Sequence, residues 1–394
     1  MDRTPVNRPR GNQEQPATPA EKVRKRPSRW HVPMWWLNIG AGVVLLITYL
    51  APHVSPVTSW IPALLAMTFP YQVVLHLCFI GWWFFMRKKR MLLSGALLVL
   101  GYGHIADHFQ LFGRSEPAEA ISGEPLHVMS YNVRLFDLYD WTKNKQTRDS
   151  MFAVFHREDP DILCIQEYFY SPDKRFFETK QSLLKDFRFM AAHERFTNTS
   201  RYQQHFGIAT FSAYPIVKKG FIDFPENPEN VCIWSDLALK GDTIRVYNAH
   251  LASYHFGDAD YKFIKALDTD THTDSLKQGS ERILKRLRRG FRLRADEVQR
   301  IAEHMEASPH PVLYCGDMND VPMSFGYATL RDLLSDAFVE SGRGTGGTYI
   351  GDLPSLRIDH ILYGEGLHAW DFRTLTEELS DHRAITTRIG LVSQ

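Results

Sequence analysis

Nine polar residues stand where apolar runs end, a placement that suits chemistry better than packing. Asn132 lies inside Met129-Ser130-Tyr131-Asn132-Val133, and Glu167 closes Asp161-Ile162-Leu163-Cys164-Ile165-Gln166-Glu167. In Val246-Tyr247-Asn248-Ala249-His250, Asn248 and His250 alternate, the spacing that puts two side chains on one face of a strand. Gly316-Asp317-Met318-Asn319 follows another apolar run, Asp359 lies within Arg357-Ile358-Asp359-His360-Ile361, and Ser380-Asp381-His382 precedes the last run. Taken singly, each has a plain structural role, as a turn residue or a satisfied core histidine. Taken together, they gather oxygen ligands and imidazoles at strand ends, where loop-built sites form. Burying so many carboxylates without a cation is costly. A hard divalent ion relieves their repulsion, and Mg²⁺, or Mn²⁺ in its place, with one or two carboxylates and a substrate phosphate is the usual arrangement. The chain has no His-Glu-x-x-His, and its cysteines at 78, 164, 232 and 315 form no Cys-x-x-Cys pair, which argues against zinc and against a disulfide scaffold.

The elements that must hold these residues are short. Strand-like runs recur at 126–133, 161–166, 207–212, 231–239, 243–251, 311–316, 357–363 and 383–390, with helical stretches near 148–157, 179–187, 281–307 and 327–334. Strands outnumber helices and do not alternate with them regularly, so the expectation is an α+β sandwich of mixed sheets rather than a Rossmann or barrel fold.

Upstream, the composition changes. Six of nine tryptophans fall in the first 85 residues, and no Asp, Glu, Lys or Arg occurs from Trp30 through Met86, so this block is expected in membrane. Three candidate transmembrane helices cover about 34–50, 59–85 and 91–112 within a block at 30–113, with Pro70 expected to kink the second. Residues 1–29, with eight Lys/Arg against three Asp/Glu, form a disordered basic tail, and 114–124 a polar linker to a domain at 125–394. The basic tail and Arg87-Lys88-Lys89-Arg90 place the N-terminus in the cytoplasm. With three spans the C-terminal domain is extracytoplasmic; with two it is cytoplasmic. The lipid bilayer is thus an expected partner, and no protein partner can be inferred. The formal net charge of +1 argues against a nucleic-acid binder held by bulk charge. One local exception is 281–294, with seven Lys/Arg and one Glu. It is expected to be a solvated helix face whose apolar residues pack on the domain, broken at Gly290; the alternative is a surface for anionic lipid or nucleic acid.

In order and context these segments resemble the endonuclease/exonuclease/phosphatase superfamily, which includes DNase I-like nucleases, inositol polyphosphate phosphatases and neutral sphingomyelinases. Gly316-Asp317-Met318-Asn319 and Ser380-Asp381-His382 are the most specific motifs, joined by Gly207-Ile208-Ala209-Thr210-Phe211-Ser212. The resemblance spans roughly 126–390 and implies a four-layer α/β sandwich, two packed mixed β-sheets flanked by helices. It also implies roles. Glu167 would be the principal metal ligand, with Asn132 adjoining it and Asp381 nearby. Asp317 would orient or deprotonate water, and Asn319 would hold water or a phosphate oxygen. His382 would bind the scissile phosphate, and His250 would contact phosphate or protonate the leaving oxygen. Asp359 would orient His250, and Asn248 would support the phosphate site. Tyr168, Tyr170 and Tyr202 are candidates for the family's tyrosine, and none is assigned. The implied activity is hydrolysis of a phosphate ester, lipid or nucleic acid, by in-line attack of water. The alternatives are an extracytoplasmic nuclease and a non-catalytic membrane-anchored binding module.

Overall fold

A computed structural model describes residues 31–173, 176, 178–266, 273–351 and 355–393. The tail expected over 1–29 lies outside them. The N-terminal block holds α1 (His31–Thr48), α2 (Ile61–Ala66), α3 (Phe69–Phe85), α4 (Met91–Leu100) and α5 (Tyr102–His108). Of the described helices, α1 is long and apolar enough to cross a membrane by itself; α3 and α4 are shorter. The second expected span is therefore two helices rather than one kinked helix. Pro62 and Pro70 each sit in a first turn, where a missing N–H costs nothing, so Pro70 starts α3. The third is divided at Gly101, where a Cβ would stand 2.1 Å from the Tyr49 hydroxyl. Polar side chains join the helices inside the block. Ser94 donates to Asn38 at 2.9 Å and meets His76 at 2.9 Å, and Thr48 donates to Gln72 at 3.0 Å.

The C-terminal domain runs β1 (Ile121–Asn132), α6 (Thr147–Glu158), β2 (Ile162–Tyr170), α7 (Thr179–Asp186), β3 (Ala191–Thr199), β4 (His205–Ser212), β5 (Ile216–Asp223), β6 (Val231–Ala238) and β7 (Thr243–His250). It continues α8 (Asp258–Ala266), α9 (Thr273–Glu306), β8 (Val312–Asp317), α10 (Phe325–Arg331), β9 (Ser335–Asp336), α11 (Ala337–Ser341), β10 (Asp359–Tyr363), β11 (Leu367–Thr374) and β12 (Ile385–Val392). β1 begins inside the expected linker because Ile121 and Ser122 pair with β12. Two six-stranded sheets form, in the orders β11-β12-β1-β2-β4-β3 and β5-β6-β7-β8-β10-β9. Each centres on one parallel pair, β1 with β2 and β7 with β8, among antiparallel neighbours. Apolar side chains such as Val128, Cys164, Val246, Leu313 and Ile385 fill the space between the sheets. The outer faces carry α6 and α7 on one side and α9 and α10 on the other. This is the expected sandwich. Burial contributes about 1.5–3 kcal/mol for each such Val, Leu, Ile or Phe, so the inter-sheet layer carries much of the stability.

α9 is continuous through Gly290, contrary to the expected break. A Cβ there would lie 2.9 Å from the Tyr254 ring, so the glycine serves a close approach rather than a helix end. Its apolar side packs as expected, but on the helical block as well: Leu287 and Phe291 meet Ala63, with Trp60 and Met67 beside them.

Candidate active site

Parallel strands end on the same side, so the two central pairs deliver their terminal residues to one rim of the sandwich. Register sets His250 opposite Asp317 across β7 and β8, and Asp359 opposite Asp317 across β8 and β10. β2 carries a bulge between Ile165 and Tyr168, with Glu167 at φ 48°. The extra residue lets Gln166 stay between the sheets while Glu167 turns to the rim. Asn319 is likewise left-handed, at φ 50°, in a tight turn closed by its own N–H donating to Asp317 Oδ1 at 2.8 Å. A cavity of about 220 Å³ opens here, and Glu167, His250, Asp317, Asn319, Asp381 and His382 line it.

Asp317 is the centre, only 1% exposed. Asn132 donates through Nδ2 to Asp317 Oδ2 at 3.0 Å and to Glu167 Oε1 at 3.2 Å. His250 Nε2 lies 3.6 Å from Asp317 and 3.9 Å from Glu167. His382 Nε2 lies 3.7 Å from Asp317, while its Nδ1 donates to Asp359 Oδ2 at 2.8 Å. Burial pushes the Asp317 carboxyl above its ordinary range, against the pull of His382 and His250. Burial alone would lower His382; the Asp359 and Asp317 carboxylates outweigh it and push the imidazole up to about 10. His382 is therefore an imidazolium at neutral pH. Thr348 Oγ1 accepts the Asp359 backbone N–H at 3.2 Å and holds the start of β10, while the carboxylate's Oδ1 is buried and without a partner. Ser380 ties the loop of Asp381 and His382 to β1 by donating to Asn132 O at 2.8 Å. Arg134 reaches Asp381 at 3.4 Å.

Two expected relations differ. Asp359 orients His382, not His250, because the 380–382 loop brings His382 over the start of β10. Asn248 is fully buried between the sheets, where it accepts from Gln166 Nε2 at 2.7 Å and donates to Ala209 O at 2.9 Å. It shares a strand face with His250 but sits two residues inside the sandwich, out of reach of a phosphate. The candidate tyrosines also lie elsewhere. Tyr168 is buried and donates to Glu194, and Tyr202 is exposed in the turn between β3 and β4. Tyr254, Tyr261 and Tyr349 line the pocket instead, and Tyr349 meets His382 edge-on at 5.5 Å. Tyr254 and Tyr349 lie in loops with no periodic pattern, and Tyr261 lies on the short helix α8. Met67, from between α2 and α3, also lines the pocket and accepts from the Tyr254 hydroxyl at 3.6 Å. The helical block is thus part of the site.

The donor chemistry fits a hard divalent ion. Glu167 and Asp381 present carboxylate oxygens to the pocket beside the buried Asp317, and the protonated His382 offers no lone pair to a metal. The cysteines in the sheets are buried inside strands. As placed, Asn132 Oδ1 accepts from the Arg134 N–H at 3.1 Å, so it would serve a metal only after the amide turned over.

These features define a phosphate-ester hydrolase built on two packed sheets. Residues 129–382 match the Endonuclease/Exonuclease/phosphatase family, and the chain belongs to it. Residues 31–108 match a separate domain of unknown function, DUF8431. No curated protein matches the chain. Among solved structures, the human Nocturnin catalytic domain with bound sulfate is 18% identical, covering 70% of this chain and 99% of that one, with a TM-score of 0.48. A Bacteroides thetaiotaomicron endonuclease/exonuclease/phosphatase family protein is 17% identical, covering 68% and 99%, with a TM-score of 0.49. A mannosyl-6-phosphatase from the same species is 16% identical, covering 67% and 99%, with a TM-score of 0.46.

Proposed function

We propose that this protein is a membrane-anchored, Mg²⁺-dependent phosphoric-ester hydrolase that cleaves by in-line attack of water on phosphorus. The observation that carries the reading is Asp317, a buried carboxylate between two imidazoles, with Asn132 holding its outer oxygen. Asp317 orients the attacking water and takes its proton. His382, kept protonated by Asp359, binds the scissile phosphate and stabilises the charge that develops there. His250 stands across Asp317 and protonates the leaving oxygen. Asn319, whose Nδ2 is tied to Leu251 O at 3.0 Å, offers its amide oxygen to the water. Mg²⁺, or Mn²⁺, held by Glu167 with Asn132 and Asp381 beside it, would polarise the phosphoryl oxygen. Little covalent work falls to the protein, so positioning and electrostatics dominate.

Membrane anchoring is supported by the arrangement of the helical block. Arg90 donates to His31 O at 3.0 Å and stacks on Trp35 and Trp83, so the start of α1 and the 87–90 turn share one end. The C-terminal domain packs at the other end, with Val321 and Met323 against Leu45, Ala51 and Phe69. Three passes with the basic end in the cytoplasm would leave the catalytic domain outside. Lys285, Arg288, Arg289 and Arg292 are exposed on α9, and Arg292 reaches Val57 O at 3.4 Å in the connection from α1 to α2, which three passes would put outside. That basic face suits anionic head groups.

The test is a hydrolysis panel on the full chain in lipid nanodiscs, with bis-p-nitrophenyl phosphate, p-nitrophenyl phosphate, a phospholipid and DNA. Cleavage that stops on chelation and returns with Mg²⁺ is expected. No cleavage of any member would refute the proposal, and preference for DNA would favour the nuclease.

A further inference from the structure

A second cavity, of about 280 Å³, runs between the helical block and the C-terminal domain. Phe69, Val73 and Val74 of α3 and Ile105 of α5 form one wall, and Pro322 lies in the other. It adjoins the active-site pocket: Val321 and Leu356 line both. At its open side Val74 is 58% exposed and continues the outward apolar face of α3 that Tyr71 and Leu75 share by helical spacing. An apolar groove therefore runs from the surface expected to face the bilayer to within one residue's thickness of the pocket that holds Asp317.

We propose that this groove seats the hydrocarbon chain of a lipid phosphate ester while its phosphate occupies the active-site pocket, so that substrate enters sideways from the bilayer. The inference rests on the phosphate-ester reading above and names its substrate class. Three observations meet in it. The walls are mostly apolar, with His108, Thr345, Ser355 and Arg357 the polar members, which suits a chain better than a sugar or a nucleotide. Helices of the block supply one wall, so the groove opens beside the apolar surface proposed to face the bilayer. The cavity ends where the chemistry begins, at Val321 and Leu356, and Val321 directly follows the Asp317–Asp320 turn.

The experiment measures kcat/KM on the full chain in nanodiscs with Mg²⁺, using p-nitrophenyl alkyl phosphates from ethyl to octyl at concentrations where each is monomeric. Each methylene seated should raise kcat/KM about fourfold until the groove is filled. Val73→Trp places an indole in the groove, and the octyl-to-ethyl ratio should fall at least about tenfold. Because that variant could fail to fold, a lipid phosphate with a diazirine at its chain end is also crosslinked to the wild-type protein. Label should fall on Phe69–Val74 or Ile105–Phe109. A flat chain-length series with the ethyl ester still hydrolysed, or label confined elsewhere, overturns the groove and leaves the phosphate-ester reading standing. Failure to hydrolyse any ester overturns both, and an oligonucleotide cleaved in preference to the octyl ester overturns the lipid assignment.

Discussion

Replacing Asp317 with Asn should separate catalysis from stability, because the two depend on its charge in opposite directions. The substitution keeps one oxygen for the Asn319 N–H, now 2.8 Å away, so the turn at the end of β8 is retained, while the new NH2 replaces the oxygen that accepts from Asn132 Nδ2 at 3.0 Å and requires the Asn132 amide to turn over. It removes the charge that faces His382 at 3.7 Å and His250 at 3.6 Å, and with it the proton acceptor for water. Loss of a positioned base costs about 10²–10⁴ in rate, or about 2.7–5.5 kcal/mol of barrier. Stability should respond differently. The folded carboxyl is held above its ordinary range by burial, so ionised Asp317 opposes folding near neutral pH, and a neutral amide relieves that. The assay pairs initial rates on bis-p-nitrophenyl phosphate with thermal unfolding, the latter in chelator so that metal binding does not contribute. Turnover should fall at least about a hundredfold, and Tm should stay within about 3 °C of wild type or rise, a window of roughly 1 kcal/mol. More than a tenth of wild-type turnover would refute the catalytic role. A Tm drop well beyond that window would refute the electrostatic reasoning.

Arg357→Met should destabilise the fold by about 3–5 kcal/mol, since Asp336, 2.7 Å from Arg357 Nη1, would be left buried without its main partner. The same substitution frees Asp107 O, now 2.7 Å from Arg357 Nη2, and so loosens the helical block; a loss under about 1 kcal/mol in denaturant unfolding would show that Asp336 needs no guanidinium. Against burial, Arg357 and His360 hold the Asp336 carboxyl far below its ordinary range. Its contribution is therefore complete above the unfolded value of about 3.9 and declines as pH falls below it, so acid should destabilise wild type more steeply than the Met variant. Gly316→Ala should cost about 1–3 kcal/mol and most of the activity, because its Cβ would lie 2.4 Å from Ala249 O and force β7 from β8; Gly95→Ala, with nothing within 4 Å, is the matched control in unfolding and rate assays. A reporter enzyme fused to the C-terminus should score as extracytoplasmic, and a cytoplasmic score would refute the three-pass topology.

Much of the fold was legible because its central strands are apolar on both faces. All eight runs expected as strands lie within or overlap strands, whereas β3, β5, the two-residue β9 and β11 were not recognised. Ala191–Thr199 and Ile216–Asp223 mix Lys, Glu, Asp and Asn into sheet-edge strands with one solvated face, and such a sequence is strand only because a neighbour pairs with it. The apolar helical block was legible from its missing charges, but its breaks were not, since a proline after an apolar run can kink a helix or start one and Thr68 makes no side-chain cap hydrogen bond to mark the start. Within the candidate site, residue type and position at a strand end pointed to Glu167, His250, Asp317, Asn319, Asp381 and His382, because each alone could be a turn or core residue but so many gathered at strand ends are costly to bury without a cation. Period-two alternation reports which face a side chain takes and nothing about depth along the strand, so Asn248 and His250 looked equivalent. Only packing made one an interior bridge and the other a rim residue. Partner choice was likewise tertiary: Asp359 meets His382 because β10 pairs against β8 and the 380–382 loop folds over both. The wall that Met67 and Tyr254 build together belongs to no local segment, since it exists only where the helical block docks beside α9.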